Sequence, residues 1–212
     1  MVQVIYAEGV SVKGVKSVSQ LQAKELEERR PEDGEEARLA GVSRFHAMIQ
    51  RIVASWLRRL GFEVSLEHNV DGIHYADVFA SDGVRNIIVE VETGYVPPMF
   101  ISEAEVYMLA RAIVKTVKYG CLADEFFIAT PSYVRPPLPS LLVRSPEDAA
   151  VMTASKLVER FFGERWAEET LKNVRECRFT GLMLVNVSRR DVSVIRNEDL
   201  TSYLAEIDEV KT

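Results

Sequence analysis

Two neighbouring segments, Tyr75–Ser81 (YADVFAS) and Asn86–Gly94 (NIIVEVETG), read as hydrophobic β-strands that carry three carboxylates, Asp77, Glu90 and Glu92. Acidic residues are weak strand formers and costly to bury, so strands that hold them among Val and Ile must compensate their charge. Hard oxygen ligands converging from adjacent strands do so by binding a divalent cation such as Mg2+ or Mn2+, an arrangement that points toward phosphodiester chemistry.

Asp82-Gly83 between the strands is a two-residue hairpin signal, because a type I′ turn needs positive φ at both positions. With those residues as the loop, Ser81 faces Val84 and Asp77 faces Ile88. Side-chain alternation then puts Asp77, Glu90 and Glu92 on one face of the sheet. Ala76, Val78, Ala80, Ile87, Val89 and Val91 form an apolar opposite face. A loop longer by one residue would move Asp77 to the other face.

The chain has 212 residues, enough for one substantial α/β domain with extensions. No apolar run approaches the ~20 residues of a membrane span, and Val2–Val10 is too short and polar for a signal peptide. These features lead us to expect a cytoplasmic protein without membrane association. Cys121 and Cys177 lie far apart without metal-ligand spacing, and reduced, buried thiols are expected. The net charge of −6 argues against a protein that simply coats nucleic acid. It leaves a nuclease open: catalytic carboxylates are themselves acidic, and much of the negative charge sits in one stretch, Glu25–Glu36.

Three regions follow from the periodicity. Residues 1–42 form an N-terminal extension, with a short strand at Val2–Tyr6 and a surface helix at Ser19–Arg30 that ends at Pro31. Residues 43–131 form the core. It opens with an amphipathic helix from Ser43 to Leu60, whose stripe is Phe45, Ile49, Ile52, Val53, Trp56, Leu57 and Leu60 and whose end is Gly61. Three meander strands follow, beginning with Phe62–His68. Ser102 and Glu105 then suggest a capping box opening a helix to Tyr119. Glu125–Thr130 reads as a strand reached by a helical crossover and so parallel to a meander strand. Residues 132–212 form a C-terminal extension packed on the core. It has a helix with Pro146 at its first position, a break at Gly163, a hairpin around Arg189–Asp191 and a last helix capped by Asn197.

Ala76-Asp77 and Glu90-Val91-Glu92, set in the order helix, three strands, helix, strand, resemble the PD-(D/E)xK nuclease superfamily and its archaeal Holliday-junction resolvases. The resemblance covers Ser43–Thr130. It implies a restriction-endonuclease-like α/β core with a mixed sheet flanked by helices, and a metal-dependent DNA endonuclease with Asp77 and Glu90 as Mg2+ ligands. It also implies duplex or branched DNA as the partner, a homodimer, and an accessory role for His46 or Gln50. Ala76 stands where the family often has Pro, and Glu92 stands where it has Lys. Glu92 then becomes a candidate to orient or deprotonate the attacking water or to hold a second ion, with Lys115 or Lys118 supplying the cation. The chain also resembles nuclease-fold proteins of archaeal spindle-shaped viruses, which would place it in the host cytoplasm.

Each of these residues has a competing structural role. Asp77 and Glu90 could sit in buried ion pairs with nearby Arg or Lys, and Glu92 could be solvated at a strand end. A lone histidine such as His46 is more often packed than ligating. Arg58, Arg59 and Lys118 would ordinarily be solvated helix faces; in a nuclease they become phosphate contacts. A nuclease-fold protein that lost catalysis and kept DNA binding or assembly is the alternative function.

Overall fold

The stripe that begins at Phe45 folds as helix α1 (Arg44–Arg59) in a computed structural model that describes residue 39 and residues 42–134, 136–143 and 147–209. Ser43 caps it, its hydroxyl accepting the His46 N–H at 3.2 Å, and Gly61 follows its end with φ 93°. The strand and helix expected at Val2–Tyr6 and Ser19–Arg30 lie outside the described residues.

Strands β1 (Glu63–Asn69), β2 (Tyr75–Ser81) and β3 (Asn86–Val91) form the antiparallel meander. The β2–β3 loop is Asp82–Arg85, not Asp82-Gly83 alone, so Ser81 pairs with Asn86 and Phe79 with Ile88. Asp82 causes the lengthening: its carboxylate accepts the Val84 and Arg85 N–H groups and holds the Arg85 guanidinium. The shift from the expected register is two residues, and an even shift keeps Val78, Ala80, Ile87, Val89 and Val91 on one apolar face as expected. Ala76 instead joins the opposite core with Ile88, and the expected common face of Asp77, Glu90 and Glu92 does not form.

A 3-10 turn (Pro98–Glu103) runs directly into helix α2 (Ala104–Tyr119). The Ser102–Glu105 capping box does not form; Glu103 holds the cap position without a side-chain hydrogen bond. Pro97 and Pro98, preset for a helical first turn, start the coil earlier than Ser102. Strand β4 (Glu125–Pro131) returns parallel to β3, as its helical connection requires.

Helices α3 (Ser140–Val143), α4 (Asp148–Phe162) and α5 (Glu164–Asn173) follow, with Gly163 at φ 87° dividing the last two. Pro146 lies outside the described residues, and Glu147 is the N-cap of α4. The hairpin β5 (Gly181–Asn186) and β6 (Asp191–Arg196) then joins the sheet rather than packing beside it. β5 lies parallel to β4, and the six strands run β1-β2-β3-β4-β5-β6. Helix α6 (Asn197–Glu209) closes the chain. The Asn197 amide donates to the Leu142 and Phe179 carbonyls instead of capping α6.

Both faces of this α/β sheet are covered. Ile49, Val53 and Leu57 of α1 pack on Val78, Val89 and Val91. Ile113 and Val117 of α2, with Val158 of α4, pack on Ile88, Phe126 and Ile128. The expected apolar-and-acidic division of faces therefore becomes two apolar cores with carboxylates confined to one end. Among the described residues no helix is long and apolar enough to cross a membrane.

Cys121 and Cys177 are joined as a disulfide, in place of the expected free thiols. They meet because backbone packs on backbone at Gly120, whose carbonyl accepts the Arg178 N–H; a Cβ there would lie 2.7 Å from the Arg178 carbonyl. Closing a loop across 56 residues stabilises the fold by about 4 kcal/mol through chain entropy. Cys121→Ser, or reductant on the native chain, is expected to lower the Tm by roughly 10 °C in calorimetry. Equal melting of oxidised and reduced protein would contradict it.

Candidate metal centre

The β2–β3 ladder ends at the Val78–Val89 pair. Beyond it, the Asp77 N–H donates to Glu90 Oε1 at 3.1 Å, and the Val91 N–H donates to Asp77 Oδ2 at 2.6 Å. Two carboxylates thus replace the main-chain acceptors that a continued ladder would have used. The strands part there with these donors still paired.

On the other side of Asp77, the β1–β2 pairs Leu66–Val78 and His68–Ala76 are present but Glu67 and Asp77 form none. Glu67 has φ 45°, a left-handed conformation that breaks the strand's alternation. Leu66 and Val78 belong to the core under α1, whereas Ala76 belongs to the opposite core and His68 stacks on Phe79. The same step turns Glu67 and Asp77 toward α1. Gln50 Nε2 donates to Glu67 Oε1 at 2.6 Å and to Asp77 Oδ1 at 3.2 Å. His46, one turn earlier on α1, brings Nε2 to 3.2 Å from Asp77 Oδ1. His46, Glu67 and Asp77 each present a ligand atom within 4.8 Å of the others.

Glu90 and Glu92 engage α2 instead. Lys115 Nζ donates to the Val91 carbonyl at 2.9 Å and lies 3.4 Å from Glu90 and 3.8 Å from Glu92. Arg111 Nε lies 3.1 Å from Glu92, and its Nη1 donates to the Tyr95 carbonyl. Glu92 is buried, not solvated, and its other oxygen accepts the Gly94 N–H.

The charges respond to this packing. Burial first, then the Asp77 charge, raises Glu90 to about 7, with Lys115 opposing. Burial would also raise Asp77, but the His46 hydrogen bond, the Lys115 charge and the Val91 N–H outweigh it and hold the group below its usual value. Glu67 is raised, by burial first and then by Asp77, against the Gln50 hydrogen bond. Burial lowers Lys118, whose ammonium lies 4.5 Å from the Tyr119 ring centroid.

Asp77 was expected to share a cation with Glu90; the nearest donor set instead joins Asp77 to His46 and Glu67, with Glu90 behind it. Gln50 reaches this group, and Lys115 reaches Glu90 behind it. Arg58 and Arg59 do not: they lie twelve or more residues along α1 from His46, a rise of about 18 Å. Arg58 donates to the Val64 carbonyl, and Arg59 lies 3.8 Å from Asp191. Glu67 escaped sequence reading because regular alternation gives it the face of Glu63 and Ser65. Its one signal was an acid placed opposite Asp77 in the meander, a repulsive cross-strand pair.

No family model, curated protein or solved structure matches this chain.

The donor set fits a divalent ion. Two carboxylates and one imidazole suit Mn2+, whereas Mg2+ prefers oxygen alone. The fully buried Gln50 Oε1 has no hydrogen-bond partner among the described residues, and a Glu90 held near neutrality marks a carboxylate group short of positive charge.

Glu90 binds its proton more tightly in the folded chain than at the ordinary value of 4.5, so it adds stability at low pH that is lost as pH rises to about 7. In metal-free protein, Glu90→Gln is expected to stabilise the fold at pH 8 by roughly 1–3 kcal/mol and to change little at pH 4. Denaturant melts at the two pH values measure this, and a loss of stability at pH 8 would contradict it.

Proposed function

We propose that this chain is a metal-dependent DNA endonuclease with a restriction-endonuclease-like core, and that His46, Glu67 and Asp77 hold its ion. The observation that carries the reading is the meeting of these three side chains where β2 and β3 part, with Glu90 and Lys115 directly behind. When bound, Mn2+ or Mg2+ would polarise the scissile phosphate and lower the pKa of the attacking water.

The chain's own residues have separable roles. Gln50 orients both ligand carboxylates through one amide group. Glu90 fixes the Asp77 main chain and, once a cation lowers its pKa, adds negative charge beside the ion. Lys115 supplies the cation that the motif lacks at Glu92, reaching the same place from α2. Glu92 is already held by Arg111 and Lys115, so we assign it a positioning role rather than that of general base. Lys118 on the same helix is a candidate phosphate contact. A homodimer with paired sites would suit cleavage of both strands of duplex or branched DNA.

The second reading, a DNA-binding or assembly protein without catalysis, is favoured by Glu92, a carboxylate in an ion pair where the family has a free amine. The host cytoplasm is compatible with the disulfide in hyperthermophilic archaea, whose intracellular proteins are disulfide-rich.

Purified protein with Mn2+ is expected to cut linear, nicked or branched DNA. Asp77→Ala, His46→Ala and Glu67→Ala should each reduce the rate by at least about a hundredfold, the scale of losing an ion or its orientation. Cleavage by wild type no faster than by Asp77→Ala would overturn the enzyme reading. Calorimetric Mn2+ binding without cleavage would favour the non-catalytic one.

A further inference from the structure

Tyr75 opens β2 two residues before Asp77, with 55% of its surface exposed. Its main chain is fixed: the Tyr119 hydroxyl donates to the Tyr75 carbonyl at 2.7 Å, and Asn69 pairs with it across the β1–β2 ladder. Among the described residues no aromatic ring packs on it. An exposed aromatic on an immobile strand is a ready stacking surface, because little side-chain entropy is lost when a ring settles on it.

Beside Tyr75 lies a cleft of about 300 Å3 lined by Glu67, His68, Asn69 and Tyr75, at the small end of the range for ligand sites. His68 is held by stacking on Phe79, with ring centroids 4.4 Å apart, and by Ser65 Oγ at 2.9 Å. Asn69 accepts the Gly72 N–H at 2.6 Å through Oδ1, which leaves its amide NH2 as a donor for an occupant. Glu67 belongs to both the cleft and the metal-ligand group, so an occupant sits directly beside that group.

The chemistry of this cleft is that of a planar, polar-edged ring and not of a phosphate. Glu67 would repel an anion, whereas a carboxylate and an amide hydrogen-bond base edges, and Tyr75 offers a face for stacking. A nucleobase within an intact duplex is stacked on both sides and enters only after it is unpaired and extruded, which favours a base that is already unpaired. We propose that this cleft seats one unpaired nucleobase on Tyr75, next to the nucleotide whose phosphate meets the ion, so that the substrate is DNA with an unpaired segment rather than continuous duplex. The proposal rests on the nuclease reading and narrows it.

The full chain, with Ca2+ in place of the catalytic ion to keep DNA uncut, is titrated against one labelled oligonucleotide as a single strand and as a blunt duplex. Single strand is expected to bind more tightly. Tyr75→Ala should weaken that binding by about tenfold or more, the scale of one stacked base, while Tyr75→Phe stays within about twofold. A single strand carrying 2-aminopurine should lose fluorescence on wild type and on Tyr75→Phe but not on Tyr75→Ala. Equal affinity for duplex and single strand, or no 2-aminopurine quenching on wild type, overturns the cleft assignment alone; the quenching arm holds even if Tyr75→Ala fails to fold. Failure to bind either DNA overturns the nucleic-acid reading as well.

Discussion

The arrangement at one end of the sheet depends on a single side chain, Asp77. It lies in the gap where the β2–β3 ladder has stopped, accepts the Val91 N–H from the neighbouring strand, and meets His46 and Gln50 from the helix above. An anion in that position is costly unless it is surrounded by donors. The structure supplies them from three elements, and their combined effect holds the Asp77 carboxyl below its ordinary pKa despite burial. Glu90 takes the opposite course: beside Asp77 and deeper in the core, it keeps its proton to about pH 7. Two carboxylates in contact with opposite shifts are what one expects when a single negative charge is compensated and the second is not.

Much of this was legible in the sequence, for identifiable reasons. Asp77 and Glu90 stood out because acids interrupt otherwise apolar strands. They stay adjacent despite an error in loop length because the register moved by two residues, but they do not share a face, since Asp77 turns to α1 while Glu90 engages α2. The α1 boundaries followed from Ser43 and Gly61, and the parallel β4 from its helical connection. What could not be read depended on contacts between distant segments. Glu67 reaches Asp77 only because it leaves the strand conformation at φ 45°. Cys121 finds Cys177 only because two backbones touch at Gly120. The hairpin at Arg189–Asp191 was visible, but its addition to the sheet required knowing which edge β4 leaves open.

The same geometry changes the weight of the motif. The D…E-x-E pattern makes Glu92 a candidate to orient or deprotonate water or to hold a second ion, with Lys115 or Lys118 supplying the cation. In the fold Glu92 is tied to Arg111 and Lys115 on α2, and Lys115 brings its ammonium group to 3.4 Å from Glu90. The proposed chemistry therefore rests on a cation brought by a helix and on a histidine and a glutamate from outside the two motif strands.

Anomalous diffraction at the manganese edge from crystals grown with Mn2+ tests the central claim most directly. The account predicts one peak within coordination distance of His46 Nε2, Glu67 and Asp77, with the Gln50 amide unmoved behind the two carboxylates. A peak bound by Asp77 and Glu90 without His46 and Glu67, or no peak at this end of the sheet, would contradict it.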